Sequence, residues 1–221
     1  MARLRVQNFA ITVDGCSAGP DQSLQNPGGI GGERILGWVH ETRSFHRSFG
    51  KDGGETGIDD DFMARGIDGI GATIMGRNMF GPIRGRWEDS DEWSGWWGDE
   101  PPFHHPVFVL THHPRDPITL GGGTVFHFVT GGIEDALAQA VEAAGGADVR
   151  VGGGPATVRQ YLRAGLVDEM HLAIVPVLLG RGERVFDDDV LTTDLECVEF
   201  VASPSVAHAR FVRVGSAPYD G

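Results

Sequence analysis

At 221 residues the chain is long enough for one domain with a substantial core, and its 40% apolar and 22% charged residues are globular proportions. A formal net charge of −13 argues against nucleic acid and anionic membranes as partners. The N-terminus turns polar within a few residues and no apolar run approaches the roughly 18 residues of a membrane span, so neither a secretory leader nor a membrane helix is expected. Cys16 and Cys197 stand at no metal-binding spacing, which fits a reduced, cytoplasmic setting.

Leu4–Val13 reads as a first strand, closed by the turn pair Asp14-Gly15. Ser17–Gly32 is a glycine-rich loop, and Glu33–Phe49 is weakly helical through Ile35, Trp38 and Val39. After a polar loop over Lys51–Gly57, Ile58–Ile67 opens with Asp59-Asp60-Asp61, acids that suit the positive end of a helix. Ala72–Met75 is a short buried strand leading into Gly76-Arg77-Asn78 and a helical turn broken at Gly81-Pro82. Trp87–Pro102 is a long loop carrying four tryptophans, for which packing, a dimer contact or stacking on a substrate are the open roles. Val107–Leu110 and Thr124–Val129 are strands, with Thr111-His112-His113-Pro114-Arg115 following the first. Ile133–Ala144 is the clearest helix: Ile133, Leu137, Ala140, Val141 and Ala144 share one face, and Gly145 stops it.

The most informative stretch is Val149–Phe186. A β-branched run, Val149–Val151, halts at Gly152-Gly153-Gly154. Pro155 then takes a first helical position, where its missing N–H costs nothing. Val158, Tyr161 and Leu162 form the apolar face of this helix and Gly165 ends it. Met170–Leu179 reads as a buried strand. Glycines without Cβ atoms let a ligand approach the backbone, and free N–H groups at a helix start attract phosphate. The three glycines therefore read either as a diphosphate cradle or as a tight, ligand-free turn. Thr157 stands where G-x-G-x-x-G needs its third glycine, so the ordinary Rossmann fingerprint is absent. Leu195–Ala202 and Val206–Val214 read as an antiparallel hairpin through Ser203-Pro204.

Strands alternating with helices predict an α/β fold: one domain with a mostly parallel central sheet, flanked by helices and extended by the antiparallel C-terminal hairpin. Ligands on such sheets gather beyond the carboxyl ends of strands. Asp14-Gly15, Gly76-Arg77, Thr111–Arg115 and Gly152–Thr157 all fall there.

These residues resemble the dihydrofolate reductase-like superfamily, and more closely the reductase domain of the bifunctional riboflavin-biosynthesis protein. The resemblance rests on Phe9–Gly15, Ile74–Arg77, Val109–His113 and Val151–Phe186, above all Gly165–Glu169 followed by Pro176–Gly180, and runs nearly end to end. It implies NADPH as cofactor. Val151, Gly152, Gly153, Gly154, Pro155, Ala156 and Thr157 would hold the diphosphate. Gly76, Arg77 and Asn78 would form a second phosphate turn. Thr111, His112, His113 and Arg115 would read the adenosine 2′-phosphate, Ala10 would lie along the nicotinamide, and Ala18 and Gly19 would belong to a mobile loop closing over it. A homodimer, with contacts from Met170–Leu179 or the tryptophan loop, is the implied assembly.

The implied chemistry is hydride transfer to a carbon–nitrogen double bond or a ring-opened sugar carbonyl of a small molecule, 5-amino-6-(5-phosphoribosylamino)uracil or a related heterocycle. Folate reductases use a buried carboxylate after the first strand; Asp14 and Glu33 are the nearest acids and the candidate catalytic residues here. The zinc-deaminase pattern of the bifunctional protein is missing. His104-His105 and His112-His113 have no carboxylate or cysteine at metal spacing, so no metal is expected. Arg34, Arg43 and Arg47 are the candidate contacts for a substrate phosphate. A pterin or specialised-metabolite reductase, and a nucleotide-binding dimer without turnover, are the competing expectations.

Overall fold

A computed structural model describes residues 2–83, 85–87, 92–187 and 194–215. In chain order the strands and helices are β1 (Leu4–Thr12), β2 (Cys16–Ala18), α1 (Gly37–His40), α2 (Arg43–Ser48), α3 (Ile58–Ile67), β3 (Ile70–Gly76), α4 (Arg77–Phe80), β4 (Pro106–Leu110), β5 (Ile118–Thr119), β6 (Val125–Val129), α5 (Ile133–Ala143), β7 (Asp148–Gly153), α6 (Pro155–Arg163), β8 (Glu169–Val175), β9 (Glu183–Arg184), β10 (Leu195–Ala202) and β11 (Ala207–Arg213). Nine strands make one sheet in the order β10-β11-β8-β1-β7-β3-β4-β6-β5, and β2 pairs with β9 in a separate ribbon. The six central strands, β8 through β6, run parallel; β11, β10 and β5 are antiparallel to their neighbours. The expected α/β architecture is the observed one.

Packing divides between the two faces of the sheet. Leu4, Val6, Ala72, Ile74, Val149 and Val151 point to one face, where Ala136 and Ala140 of α5 and Val158, Tyr161 and Leu162 of α6 cover them. β1 carries a register shift between Val6 and Phe9, with Asn8 at φ 54°. The extra residue reverses the alternation, so Phe9 and Ile11 return to the α5/α6 face. Ala10 is thereby aimed at the other face, among Ile35, Trp38, Met63 and Val175.

That other face is polar where α3 crosses it. Arg5 is fully buried, and its Nη2 and Nη1 donate to the carbonyls of Arg65 (2.7 Å) and Asp68 (3.1 Å) at the carboxyl end of α3. A cation there satisfies carbonyls that lack helical partners and meets the negative end of the helix dipole. Gln7 Nε2 donates to Glu169 Oε1 at 2.8 Å. Next to them the Asn8 N–H donates to His171 Nδ1 (3.3 Å), which leaves His171 Nε2–H to donate to His208 Nδ1 (3.0 Å) and His208 Nε2–H to donate to Asp59 Oδ1 (2.8 Å). Phe62 stacks on both imidazoles, 4.7 and 4.1 Å between centroids.

Several boundaries differ from expectation. The strand expected over Met170–Leu179 ends at Val175, because Pro176 has no N–H for the ladder, and residues 176–182 leave the sheet as a strap. β8 lies between β1 and β11, so neither of its edges is free to pair with a second copy. Glu33–Phe49 resolves into a 3-10 turn over Gly32–Arg34 and the two short helices α1 and α2. β2, β5 and β9 are two or three residues long, too short to leave an alternating pattern. Of the tryptophan loop, residues 88–91 lie outside the described residues.

The histidine pair gives the fold a pH dependence. Burial, then the partner imidazole, holds His171 well below the ordinary imidazole value; burial likewise lowers His208, although Asp59 opposes this. The folded pair stays neutral where the unfolded chain takes up protons. Stability is therefore complete above pH about 6.5 and is lost as pH falls, by about 1.4 kcal/mol per pH unit for each imidazole kept neutral. Denaturant titrations between pH 7.5 and 5.5 should show this decline, with a shallower slope for the double variant His171→Phe/His208→Phe.

Candidate active site at the carboxyl rim

Parallel register sets the carboxyl ends of β1, β7, β3 and β4 side by side, so the four nominated segments share one rim. The two glycine turns meet directly. A Cβ on Gly76 would collide with Thr157 Oγ1 and come within 3.7 Å of the Gly154 nitrogen. Gly76 has φ −78°, so closeness rather than backbone conformation is what demands glycine. Gly153 has φ 130°, which favours glycine, and the Gly153–Gly154 peptide is cis. Nothing lies within 4 Å of a Cβ placed on Gly154, so the start of α6 is open. Val151 is buried behind it, Pro155 occupies the first turn, and the Thr157 and Val158 amides bond back to the Gly154 carbonyl at 3.0 and 3.1 Å. These turns suit a diphosphate: bare backbone and an open helix start.

The exits of β3 and β4 supply cations and aromatic rings. Arg77 Cζ lies 3.7 Å and Arg115 Cζ 4.9 Å from the Trp87 ring centroid. Trp87 Nε1 donates to the His113 carbonyl (2.9 Å), and the Thr111 hydroxyl accepts from the His113 N–H (3.2 Å). His112 is exposed. Sequence reasoning missed what the other tryptophans do. Trp93 and Trp96 donate their indole N–H groups to the Phe80 and Met79 carbonyls, each at 2.9 Å, capping the end of α4. Trp93 and Trp96 thus pack on their own chain, against the helix that carries Arg77. The signal for this was the Gly81-Pro82 break, which leaves those carbonyls without helical donors.

Loops from β1 and β8 form the other wall. Ala18 is buried in β2, and the Gly19 N–H donates to the Gly28 carbonyl (2.8 Å). Asn78 Nδ2 donates to Gln22 Oε1 (3.3 Å), joining this loop to the β3 exit across the rim. Trp38, 4% exposed in the cluster that holds Ala10, has an indole N–H without a hydrogen-bond partner among the described residues.

Neither nominated acid has a proton donor's surroundings. The Asp14 carboxylate accepts from the Thr12 hydroxyl (2.5 Å) and from the Gly180 (2.6 Å) and Leu179 (3.3 Å) amides. These bonds, the Thr12 hydroxyl foremost, hold its pKa at about 2, so it is ionised and clamps the 176–182 strap. Glu33 is exposed on the 3-10 turn and is not a buried acid. Among the arginines nominated for a substrate phosphate, Arg43 faces Asp60 (3.7 Å), and Arg34 and Arg47 are exposed. His104-His105 and His112-His113 stand at opposite ends of β4. Burial, Arg150 and His104 lower His105 to about 4, and its Nε2 meets the Thr73 hydroxyl at 2.8 Å.

This fold is the dihydrofolate reductase-like one. It is shared with a Shewanella sp. PV-4 protein provisionally assigned to riboflavin biosynthesis (TM-score 0.60, 21% identity, 96% of this chain and 99% of that one). It is also shared with Enterococcus faecalis dihydrofolate reductase complexed with NADP(H) (TM-score 0.52, 14% identity, 96% of each chain). A third match is the Thermotoga maritima diaminohydroxyphosphoribosylaminopyrimidine deaminase/5-amino-6-(5-phosphoribosylamino)uracil reductase (TM-score 0.53, 15% identity, 96% of this chain and 56% of that one). No curated protein sequence matches. The sequence profile of the RibD C-terminal domain matches residues 6–209, and the chain belongs to that family.

The meeting of the two glycine turns is directly testable. Gly76→Ala should destabilise the fold by about 1–3 kcal/mol through overpacking, and Thr157→Ala, which removes the obstructing oxygen, should recover most of that loss in the double variant. Denaturant midpoints of the four proteins measure the coupling.

Proposed function

We propose that the chain is an NADPH-dependent reductase of the riboflavin-biosynthesis type, passing hydride to 5-amino-6-(5-phosphoribosylamino)uracil or a related heterocycle. The observation that carries this reading is the contact between Gly76 and Thr157, which brings two bare-backbone turns to one place on the rim. Family membership and the NADP(H) complex of the Enterococcus enzyme on the same fold support it. When bound, the nicotinamide supplies the hydride. The backbone of Gly152–Thr157 and of Gly76–Asn78 would hold the diphosphate, Ala10 would lie along the nicotinamide, and the loop tied down through Gln22 and Asn78 would limit water at the reacting carbon.

Folate reduction is disfavoured, because Asp14 is committed as an anion to the strap and Glu33 is exposed. The exposed or carboxylate-facing state of Arg34, Arg43 and Arg47 favours, as a second reading, a pterin or specialised metabolite without a phosphate. Homodimerisation and a cytoplasmic location are part of the proposal. Edge strand β10, where Phe200 is 66% exposed, is a surface for the second copy. Among the described residues no helix is long and apolar enough to cross a membrane.

Titration with NADPH should quench tryptophan fluorescence and raise the melting temperature; the absence of both would leave no enzymatic reading. Oxidation of NADPH followed by absorbance over a substrate panel separates the two readings, since turnover confined to pterins would exclude the riboflavin-type substrate. Arg77→Ala should weaken NADPH by roughly tenfold or more while changing NADH little, as expected for loss of a charge-assisted phosphate contact. Equal weakening of both would remove Arg77 from the 2′-phosphate.

A further inference from the structure

We propose that Arg150 is the seat of a carboxylate on the hydride acceptor: its guanidinium, on the α3 face of the sheet, takes that group end-on while the acceptor's ring lies nearer the rim. This rests on reading the rim as a reductase site, and it narrows the acceptor to one that carries a carboxylate.

Val149 and Val151 enter the α5/α6 core, which turns Arg150 and Gly152 of β7 to the α3 face. The parallel register sets Arg150 beside Arg5 of β1 and Thr73 of β3. Arg5 is committed to the carbonyls of Arg65 and Asp68 and faces Asp148 at 3.4 Å. The Thr73 hydroxyl meets His105 Nε2 at 2.8 Å, and burial followed by the Arg150 charge holds His105 at about 4, so it is neutral. Arg150 itself is half-buried. Its Nε is shut from solvent without a hydrogen-bond partner, and its guanidinium has no ion pair, among the described residues. Its Cζ lies 5.9 Å from the Phe103 ring centroid. Burial, then the Arg5 guanidinium, lowers Arg150 to about 10, so it remains a cation at neutral pH.

A guanidinium drawn into the protein without an acceptor is uncommon, because removing a charge from water is costly unless something pairs with it. The neighbouring arginines on this face obey that rule: Arg5 has its carbonyls, and Arg210 faces Glu199 at 3.2 Å. With Nε closed off, Arg150 offers its two terminal Nη groups, and the two oxygens of a carboxylate match that edge. The charges match as well. One guanidinium balances one carboxylate, whereas a phosphate monoester carries close to two charges near neutral pH and would need a second cation. Arg5 is committed elsewhere and His105 is neutral. The way to the rim is bare, since the next residue on this face is Gly152, where a Cβ would make only ordinary contacts of 3.4 Å with Met79 Cε and Thr73 Cγ2. At about 3.3 Å per residue, Arg150 stands roughly 13 Å down β7 from the open Gly154, which keeps the acceptor's charge apart from the cofactor diphosphate.

Benzoate, its neutral isostere benzamide and phenyl phosphate are the probes, each titrated into the intact chain while heteronuclear NMR follows the arginine Nε–H signals. The Arg150 signal is the one missing from Arg150→Gln. Benzoate should shift that signal and bind at least about tenfold tighter than benzamide. Arg150→Gln should abolish the preference and bind NADPH as the wild type does. Arg150→Lys, a point charge without a fork, should keep only part of the preference. An Arg150 signal that benzoate leaves unmoved, or a preference that survives Arg150→Gln, overturns the proposal and leaves Arg150 as packing against Phe103. Phenyl phosphate binding tighter than benzoate at Arg150 overturns the assignment to a carboxylate. If Arg150→Gln does not fold, Arg150→Lys assigns the signal, and an undiminished preference in it overturns the proposal. A chain that takes benzoate at Arg150 but does not bind NADPH overturns the reductase reading, and with it the acceptor's role; failure of the seat alone leaves NADPH binding intact.

Discussion

The rim depends on how closely two strand-to-helix turns approach each other. β7 and β3 are parallel neighbours, so their carboxyl ends would carry α6 and α4 past one another at side-chain distance were Gly76 any other residue. The missing Cβ lets Thr157 sit against the β3 turn. The amide-bearing backbone of both turns then belongs to one surface. Beside that approach lie the open position at Gly154, the stacking of Arg77 on Trp87, and the hydrogen bond from Asn78 to Gln22.

Opposite demands shape the two faces of the sheet. The α5/α6 face is a dry core of valine, alanine and aromatic side chains, which provides the rigid platform. The α3 face holds buried charge instead. Arg5 gathers two carbonyls from the end of α3 and faces Asp148 at 3.4 Å, and the His171–His208–Asp59 relay runs from the sheet to the start of the same helix. Such a network is costly when half-satisfied and specific when complete. It fixes where α3 sits, and α3 with α1 backs the cluster that includes Ala10. The β1 bulge at Asn8 links the two faces: it supplies the amide that orients His171 and turns Ala10 toward that cluster.

Much of this is legible from residues read in order. Glycine and proline at fixed places define the exits of β3 and β7, and the alternation of strand and helix fixes a parallel sheet, so the convergence of four segments needs no coordinates. What is not legible is whatever depends on partners distant in sequence. No periodicity shows that Asp14 is held by the amides of Leu179 and Gly180, and so an acid beside a turn reads as a catalytic candidate. Pro176 could have marked the end of β8, but the apolar run through Leu179 outweighs it. Trp93 and Trp96 are conspicuous in the sequence, yet their indole N–H groups find carbonyls on α4 only because the chain folds back over that helix.

Hydrogen–deuterium exchange of the intact chain with and without NADPH tests the central claim most directly, because it reports where the dinucleotide lies whether or not turnover occurs. The account predicts slowed exchange confined to the exits of β3, β4 and β7, residues 76–78, 111–115 and 152–157, and to the loop around Ala18–Gln22. Protection that bypasses both glycine turns, or appears only at the opposite end of the strands, would contradict it.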